Sequence, residues 1–109
     1  MTMKLVIAVI NGDDSSAVIS GLTSNGYYAT KLSTSGGFLK SGNVTLMTGV
    51  EDEKVDDVIA VIGEFSKKRT QMIPPSAGYA MEGIISKPVE IIVGGATVFV
   101  IDVDRFIKL

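Results

Sequence analysis

Residues 4–10, Lys4-Leu5-Val6-Ile7-Ala8-Val9-Ile10, form an unbroken, mostly β-branched apolar run that ends in the turn-forming Asn11-Gly12-Asp13-Asp14-Ser15. A strand with one wet face alternates apolar and polar residues, so a continuous run of this length reads as a strand covered on both faces. The rest of the chain must supply those covers. Val18, Ile19 and Leu22 fall at helical spacing within 15–25, with Gly26 as a C-cap, which predicts a first short helix. A second, clearer helix is predicted from Val55, Val58, Ile59, Ile62 and Phe65, with Asp52, Glu53, Asp56, Asp57 and Glu64 on its other face.

The remaining segments read as strands and loops. A strand is expected over 27–34 and another over 44–50, joined as a long-looped hairpin. Acidic residues at 51–53 and the basic triplet Lys67-Lys68-Arg69 complement the dipole of the second helix, which accounts for the triplet as a solvated helix end. Residues 71–88 carry all three prolines and no period, so they read as a long irregular loop. Runs at 89–93 and 96–101 flank Gly94-Gly95, the pattern of a two-residue hairpin. Without the strand at 89–93 the order is βαββαβ. The expected fold class is therefore α+β, ferredoxin-like, with an extra C-terminal β-hairpin strand and two long loops, as one domain over 1–109.

Both helices would lie on one face of such a sheet. The other face needs a cover as well, and three sheets packed around an axis would provide one. Hydrophobic residues make up 46% of only 109 residues, and the mean hydropathy is +0.38. Chains this small have little interior, so burial between subunits accounts for the surplus.

Composition narrows the chemistry. Cysteine and histidine are absent, which removes thiol nucleophiles, Ser-His-Asp triads, Cys/His zinc sites and histidine acid–base catalysis. Carboxylate, lysine or tyrosine chemistry remains, or binding alone. The pairs Asp13/Asp14, Asp52/Glu53 and Asp56/Asp57 lie at a helix start or on a polar helix face and read as caps and solvated charge, so no catalytic or metal-binding residue is assigned. A net charge of −2 opposes binding to nucleic acid polymers. Central strands of Val, Ile and Ala lack the exposed aromatics an RNA-recognition sheet needs. Met1-Thr2-Met3-Lys4 has no leader pattern and no apolar run reaches a membrane span, so a soluble, cytoplasmic protein without membrane contact is expected.

The segment Thr30 to Asn43 is the candidate binding loop. It sets Gly36, Gly37 and Gly42 among short hydroxyl side chains around one isolated aromatic, Phe38. Glycines let backbone N–H groups approach an anion or a flat ring, and hydroxyls add donors without bulk. The order of residues is neither a P-loop nor a dinucleotide fingerprint.

Taken together, Thr30-Lys31-Leu32 followed by Gly36-Gly37-Phe38-Leu39-Lys40-Ser41-Gly42-Asn43, Gly49-Val50-Glu51-Asp52, Lys68-Arg69 with Gln71-Met72, and Val93-Gly94-Gly95-Ala96-Thr97-Val98-Phe99-Val100 with Val103-Asp104 and Phe106 resemble the PII-like cyclic di-AMP receptor proteins of Gram-positive bacteria. The resemblance runs nearly end to end. It implies a non-enzymatic signal-transduction protein, a homotrimer of ferredoxin-like subunits that holds one cyclic dinucleotide in each inter-subunit cleft and needs no cofactor. Ligand binding would order the glycine loop and the 71–88 loop and so change the surface shown to a downstream protein. By position, the resemblance makes Phe38 a stacking platform for adenine. Thr30 and Asn43 become hydrogen-bonding partners of base or ribose, Leu39 a wall of the pocket, and Gly37, Gly49, Gly94 and Gly95 points of close backbone approach.

Two features depart from the family pattern. Tyr28 stands where the family usually has a ligand-contacting arginine, and Ser76-Ala77-Gly78-Tyr79-Ala80-Met81-Glu82-Gly83 replaces its Gly-Gly-x-Ala-Asp-Ser-Tyr segment. A PII-like sensor of ATP, ADP or another small ligand is the alternative within the same fold. A small enzyme using Lys31 or Lys40 with a carboxylate is the alternative from another class.

Overall fold

The computed structural model describes residues 2–32, 42–73 and 89–109. Along the chain come β1 (Met3–Asn11), α1 (Ser15–Ser24), β2 (Thr30–Leu32), β3 (Asn43–Glu51), α2 (Val55–Phe65), β4 (Arg69–Ile73), β5 (Val89–Val93) and β6 (Ala96–Val103). Single 3₁₀ turns, Gly12–Asp14 and Asp52–Lys54, lead into the two helices. The main sheet is antiparallel with the order β2-β3-β1-β6. That is the expected ferredoxin-like βαββαβ arrangement, with the apolar run at its centre.

Alternation along each strand divides the sheet into two faces. Val6, Ala8 and Ile10 of β1 and Leu46 and Val50 of β3 turn toward the helices, where Val18 and Leu22 of α1 and Val55, Val58 and Ile62 of α2 meet them in one core. Full burial of a Val, Leu or Ile side chain is worth roughly 1.5–3 kcal/mol, so this cluster supplies the main driving force for folding. Leu5, Ile7, Val9, Met47, Phe99 and Ile101 occupy the opposite face. No helix among the described residues covers them, and Phe99 and Ile101 are 54% and 48% exposed.

Four expectations need correction. The second strand was expected from Tyr27 but begins at Thr30. The N–H of Gly26 donates to the Thr23 carbonyl and that of Tyr27 to the Leu22 carbonyl, with Gly26 at φ +87°. This Schellman closure of α1 commits the backbone at 27 to the helix end and delays the strand. Residues 71–73, expected to be irregular, belong to β4.

The extra strand at 89–93 is present, but it does not pair with β6 across Gly94-Gly95. It pairs with β4, with Arg69 opposite Val93 and Ile73 opposite Val89, in a separate two-stranded ribbon. β6 instead runs alongside β1 from Ile10 to Met3. Gly94 and Gly95, at φ +88° and +89°, turn the chain from the ribbon into the main sheet, and the Gly95 N–H donates to the Ser66 carbonyl at the end of α2. Lastly, the basic triplet is not the last turn of the second helix. α2 ends at Phe65, Ser66 caps it by donating its hydroxyl to the Ile62 carbonyl, and residues 67–69 lead into the ribbon.

Candidate functional site

Those of the residues singled out from the sequence that the structure describes gather at two ends of the main sheet. Around Leu5 and Gly49, which pair directly, lies a cleft of about 560 Å³ lined mainly by apolar surface. Tyr28, Thr30 and Gly49 all border it, together with Met47, Thr48 and Phe106. Thr30 pairs with Met47, so alternation sets its side chain on the face opposite the helices. Tyr28 is 77% exposed. Its main chain is fixed by Thr48, a buried hydroxyl that donates to the Tyr28 carbonyl at 2.6 Å. One residue earlier, the Tyr27 hydroxyl donates to Asp57 Oδ2 at 2.6 Å and ties the same segment to α2. That hydrogen bond, with desolvation and the carboxylate's charge adding to it, raises the Tyr27 pKa above the ordinary phenol value of 10.0.

Gly49 has a local reason to be glycine. A Cβ there would lie 3.3 Å from Cε2 of Phe106, whose ring covers the backbone at that point. The C-terminal residues Phe106, Ile107 and Lys108 thus form one wall of the cleft. Two exposed aromatic rings, Tyr28 and Phe106, therefore border a largely apolar space with Thr30 as a hydroxyl donor and acceptor. Such a space suits a planar ring with polar edges.

At the other end of the sheet Asn11 and Asn43 pair, and a second cleft of about 360 Å³ opens beside them. Gly94, Gly95, Lys68 and Thr97 border it. Asn11 Oδ1 accepts from the Asp13 N–H at 2.8 Å, which orients that side chain at the rim. The glycine pair is packed tightly against the triplet. A Cβ on Gly94 would run into the Lys67 carbonyl oxygen and lie 2.8 Å from Arg69 Nη1, and one on Gly95 would lie 2.9 Å from Lys68 Cγ.

The ribbon is tied down by charge. Arg69 Nη2 donates to Asp14 Oδ1 at 2.8 Å, and Nη1 donates to Asp14 Oδ2 at 3.3 Å and to the Lys67 carbonyl at 3.1 Å. Asp14 precedes α1 but makes no side-chain cap bond to it, so its buried carboxylate serves Arg69.

Asn43 and Gly49 are six residues apart on β3, about 20 Å along an extended strand. Tyr28, Thr30 and Gly49 thus share one cleft, and Asn43, Gly94 and Gly95 share the other. Gly37, Phe38 and Leu39 lie outside the described residues. Sequence reasoning assigned no part in the site to Thr48, Lys68 or Phe106. Thr48 carries no signal, because a threonine inside a strand is ordinary, and Lys68 reads from the sequence as part of a solvated helix end. Among the described residues no group of three or more acidic, His or Cys side chains could hold a metal ion, and no helix is long and apolar enough to cross a membrane.

Comparison with known proteins adds to this geometry. The chain is similar to a crystal structure of a functionally unknown protein from Pediococcus pentosaceus ATCC 25745, with 39% sequence identity, a TM-score of 0.77, and coverage of 100% of this chain and 99% of that one. The family model described as Cyclic-di-AMP receptor matches residues 3–109. An aromatic-walled cleft on a ferredoxin-like sheet and a match of that extent lead to one conclusion: the chain belongs to the cyclic-di-AMP receptor family.

Proposed function

We propose that this protein is a non-enzymatic receptor for cyclic di-AMP that binds its ligand in the clefts between subunits of a homotrimer. The observation that carries the reading is the family match over residues 3–109, joined to a cleft bordered by Tyr28, Thr30 and Gly49 at one end of an uncovered apolar sheet face. Apolar side chains on that face, Ile7, Met47, Phe99 and Ile101 among them, favour association, since burying them removes apolar area from water. Association in a ring would also bring the Gly49 end of one copy, or its Asn43 end, to surfaces of a neighbour and complete a site that a single chain leaves in two parts. Phe38 stacks on an adenine in this reading, and Leu39 and Gly37 line the site beside it. Binding changes the surface that the segments 35–42 and 74–88 present to a downstream protein.

Tyr28 favours a second reading, in which the ligand is ATP or ADP, because a phenol replaces the arginine usual at this position in the family. Calorimetry against cyclic di-AMP, ATP, ADP and the guanine counterparts separates the two. Cyclic di-AMP should bind most tightly, and Phe38→Ala should weaken it by roughly ten- to a hundredfold, the worth of one base stack. Tyr28→Arg should tighten it. Light scattering should give three times 11.5 kDa. Absence of cyclic di-AMP binding at millimolar ligand would sink the reading, and a concentration-independent monomer would remove its inter-subunit cleft.

A further inference from the structure

The cleft at the Asn11–Asn43 end of the sheet has the chemistry of an anion site. Among the described residues bordering it, Lys68 is the sole charged side chain, and no carboxylate faces it. Lys68 forms no ion pair among those residues, in contrast to its neighbour Arg69, whose guanidinium is taken up by Asp14. Lys68 is exposed, yet its stem lies against the glycine backbone. A Cβ on Gly95 would touch Lys68 Cγ, Cδ and Cε at 2.9, 3.7 and 3.3 Å, so the aliphatic chain lies along the glycine backbone. Placement of that backbone is in turn fixed by the Gly95 N–H bond to the Ser66 carbonyl and by the adjacent Arg69, which is paired with Asp14 and lies against Gly94.

A cation whose stem lies along the glycine backbone beside amide donors, with no counter-charge among the described residues that border the cleft, is suited to a phosphate oxygen. We infer that Lys68 supplies the cationic contact to a phosphate of the bound adenine nucleotide, with Asn43 bonding its sugar or base beside it. This inference rests on the receptor reading and extends it to a residue at the opposite end of the sheet from Tyr28. It also gives the basic triplet a division of labour: Arg69 fixes the ribbon, and Lys68 meets the ligand.

Lys68→Met tests it, because methionine keeps an aliphatic stem against Gly95 and removes only the charge; Lys68→Arg keeps the charge. The full-length protein and both variants are titrated with cyclic di-AMP, ATP and adenosine by calorimetry at two ionic strengths, with thermal unfolding as the control for fold. Lys68→Met should unfold at the wild-type temperature and bind the phosphate-bearing ligands about tenfold more weakly. Any adenosine binding should be unaffected, Lys68→Arg should retain most of the affinity, and the difference from wild type should shrink as salt rises. Tight cyclic di-AMP binding that Lys68→Met leaves intact overturns the inference and spares the receptor reading. Lysine-dependent binding of ATP without cyclic di-AMP supports the inference and removes that reading. If no phosphate-bearing ligand binds, both fall.

Discussion

Replacing Arg69 by methionine should destabilise the protein by about 2 kcal/mol, more than replacing its partner Asp14 by asparagine. The Asp14 side chain is 9% exposed and that of Arg69 47%. Breaking a fully buried pair costs about 3–5 kcal/mol, and breaking an exposed one about 0.2–1 kcal/mol. One deep and one half-wet partner put this pair between those limits. The two substitutions are unequal because of what each leaves behind. Arg69→Met strands a buried carboxylate with no cation to offset its desolvation. Asp14→Asn leaves a guanidinium that can turn to water, while the amide oxygen can still accept one of its N–H groups. Asp14→Asn should therefore cost about 1 kcal/mol, and the double variant should lie near the same value, giving a coupling of roughly 1–2 kcal/mol.

Urea unfolding of the four proteins at one fixed protomer concentration measures this cycle, the fixed concentration being needed if the chain associates. For a chain of this size the Arg69→Met effect corresponds to a fall in Tm of roughly 10 °C. Amide exchange should accelerate first in β4 and β5, since the pair is their charged tie to the body. A coupling below about 0.3 kcal/mol, or an Asp14→Asn cost exceeding that of Arg69→Met, would refute the argument that burial of the carboxylate sets the energy.

Thr48→Val keeps the shape of the buried threonine but leaves the Tyr28 carbonyl without its donor, so it should cost about 1–3 kcal/mol in urea unfolding and also weaken cyclic di-AMP binding; a variant as stable as wild type would show that the bond does not hold this segment. Gly94→Ala should cost clearly more than Gly26→Ala, although both glycines lie near φ +90°, because a Cβ at 26 meets open space and one at 94 meets the Lys67 carbonyl. The Gly26 change isolates the backbone term of roughly 1–2 kcal/mol, and equal costs for the two would show that the ribbon yields without resistance. Tyr27, whose pKa is raised above 10.0 by its hydrogen bond to Asp57, contributes stability that is fully present below pH 10.0 and lost as pH rises through the raised value. Phenolate absorption should show its titration moving back toward the ordinary range in Asp57→Asn, and an unchanged curve would remove the bond as its cause.

Where the sequence sufficed, the reason was periodicity. The unbroken run at 4–10 became a central strand flanked by β3 and β6, with Val6, Ala8 and Ile10 buried under the helices and Leu5, Ile7 and Val9 on the face that no described helix covers. Val55, Val58 and Ile62 recur on one face of a helix, and that face is the one buried. Tyr28, Thr30 and Gly49, which the family resemblance and no pattern of their own singled out, border one cleft. Local pattern failed wherever two partners competed for the same segment. Gly94-Gly95 between two apolar runs reads as a hairpin, yet an eight-residue pairing of β6 with β1 outweighs a two-residue turn, and the freed β5 finds β4 instead. Lys67-Lys68-Arg69 reads as a solvated helix end because no local signal announces that Asp14, distant in the chain, lies beside Arg69. Periodicity is a property of neighbours in the chain and fixes which face of each element is apolar. The choice among competing strand partners, and the meeting of a buried carboxylate with a guanidinium, depend on contacts between distant residues that exist only once those faces have packed.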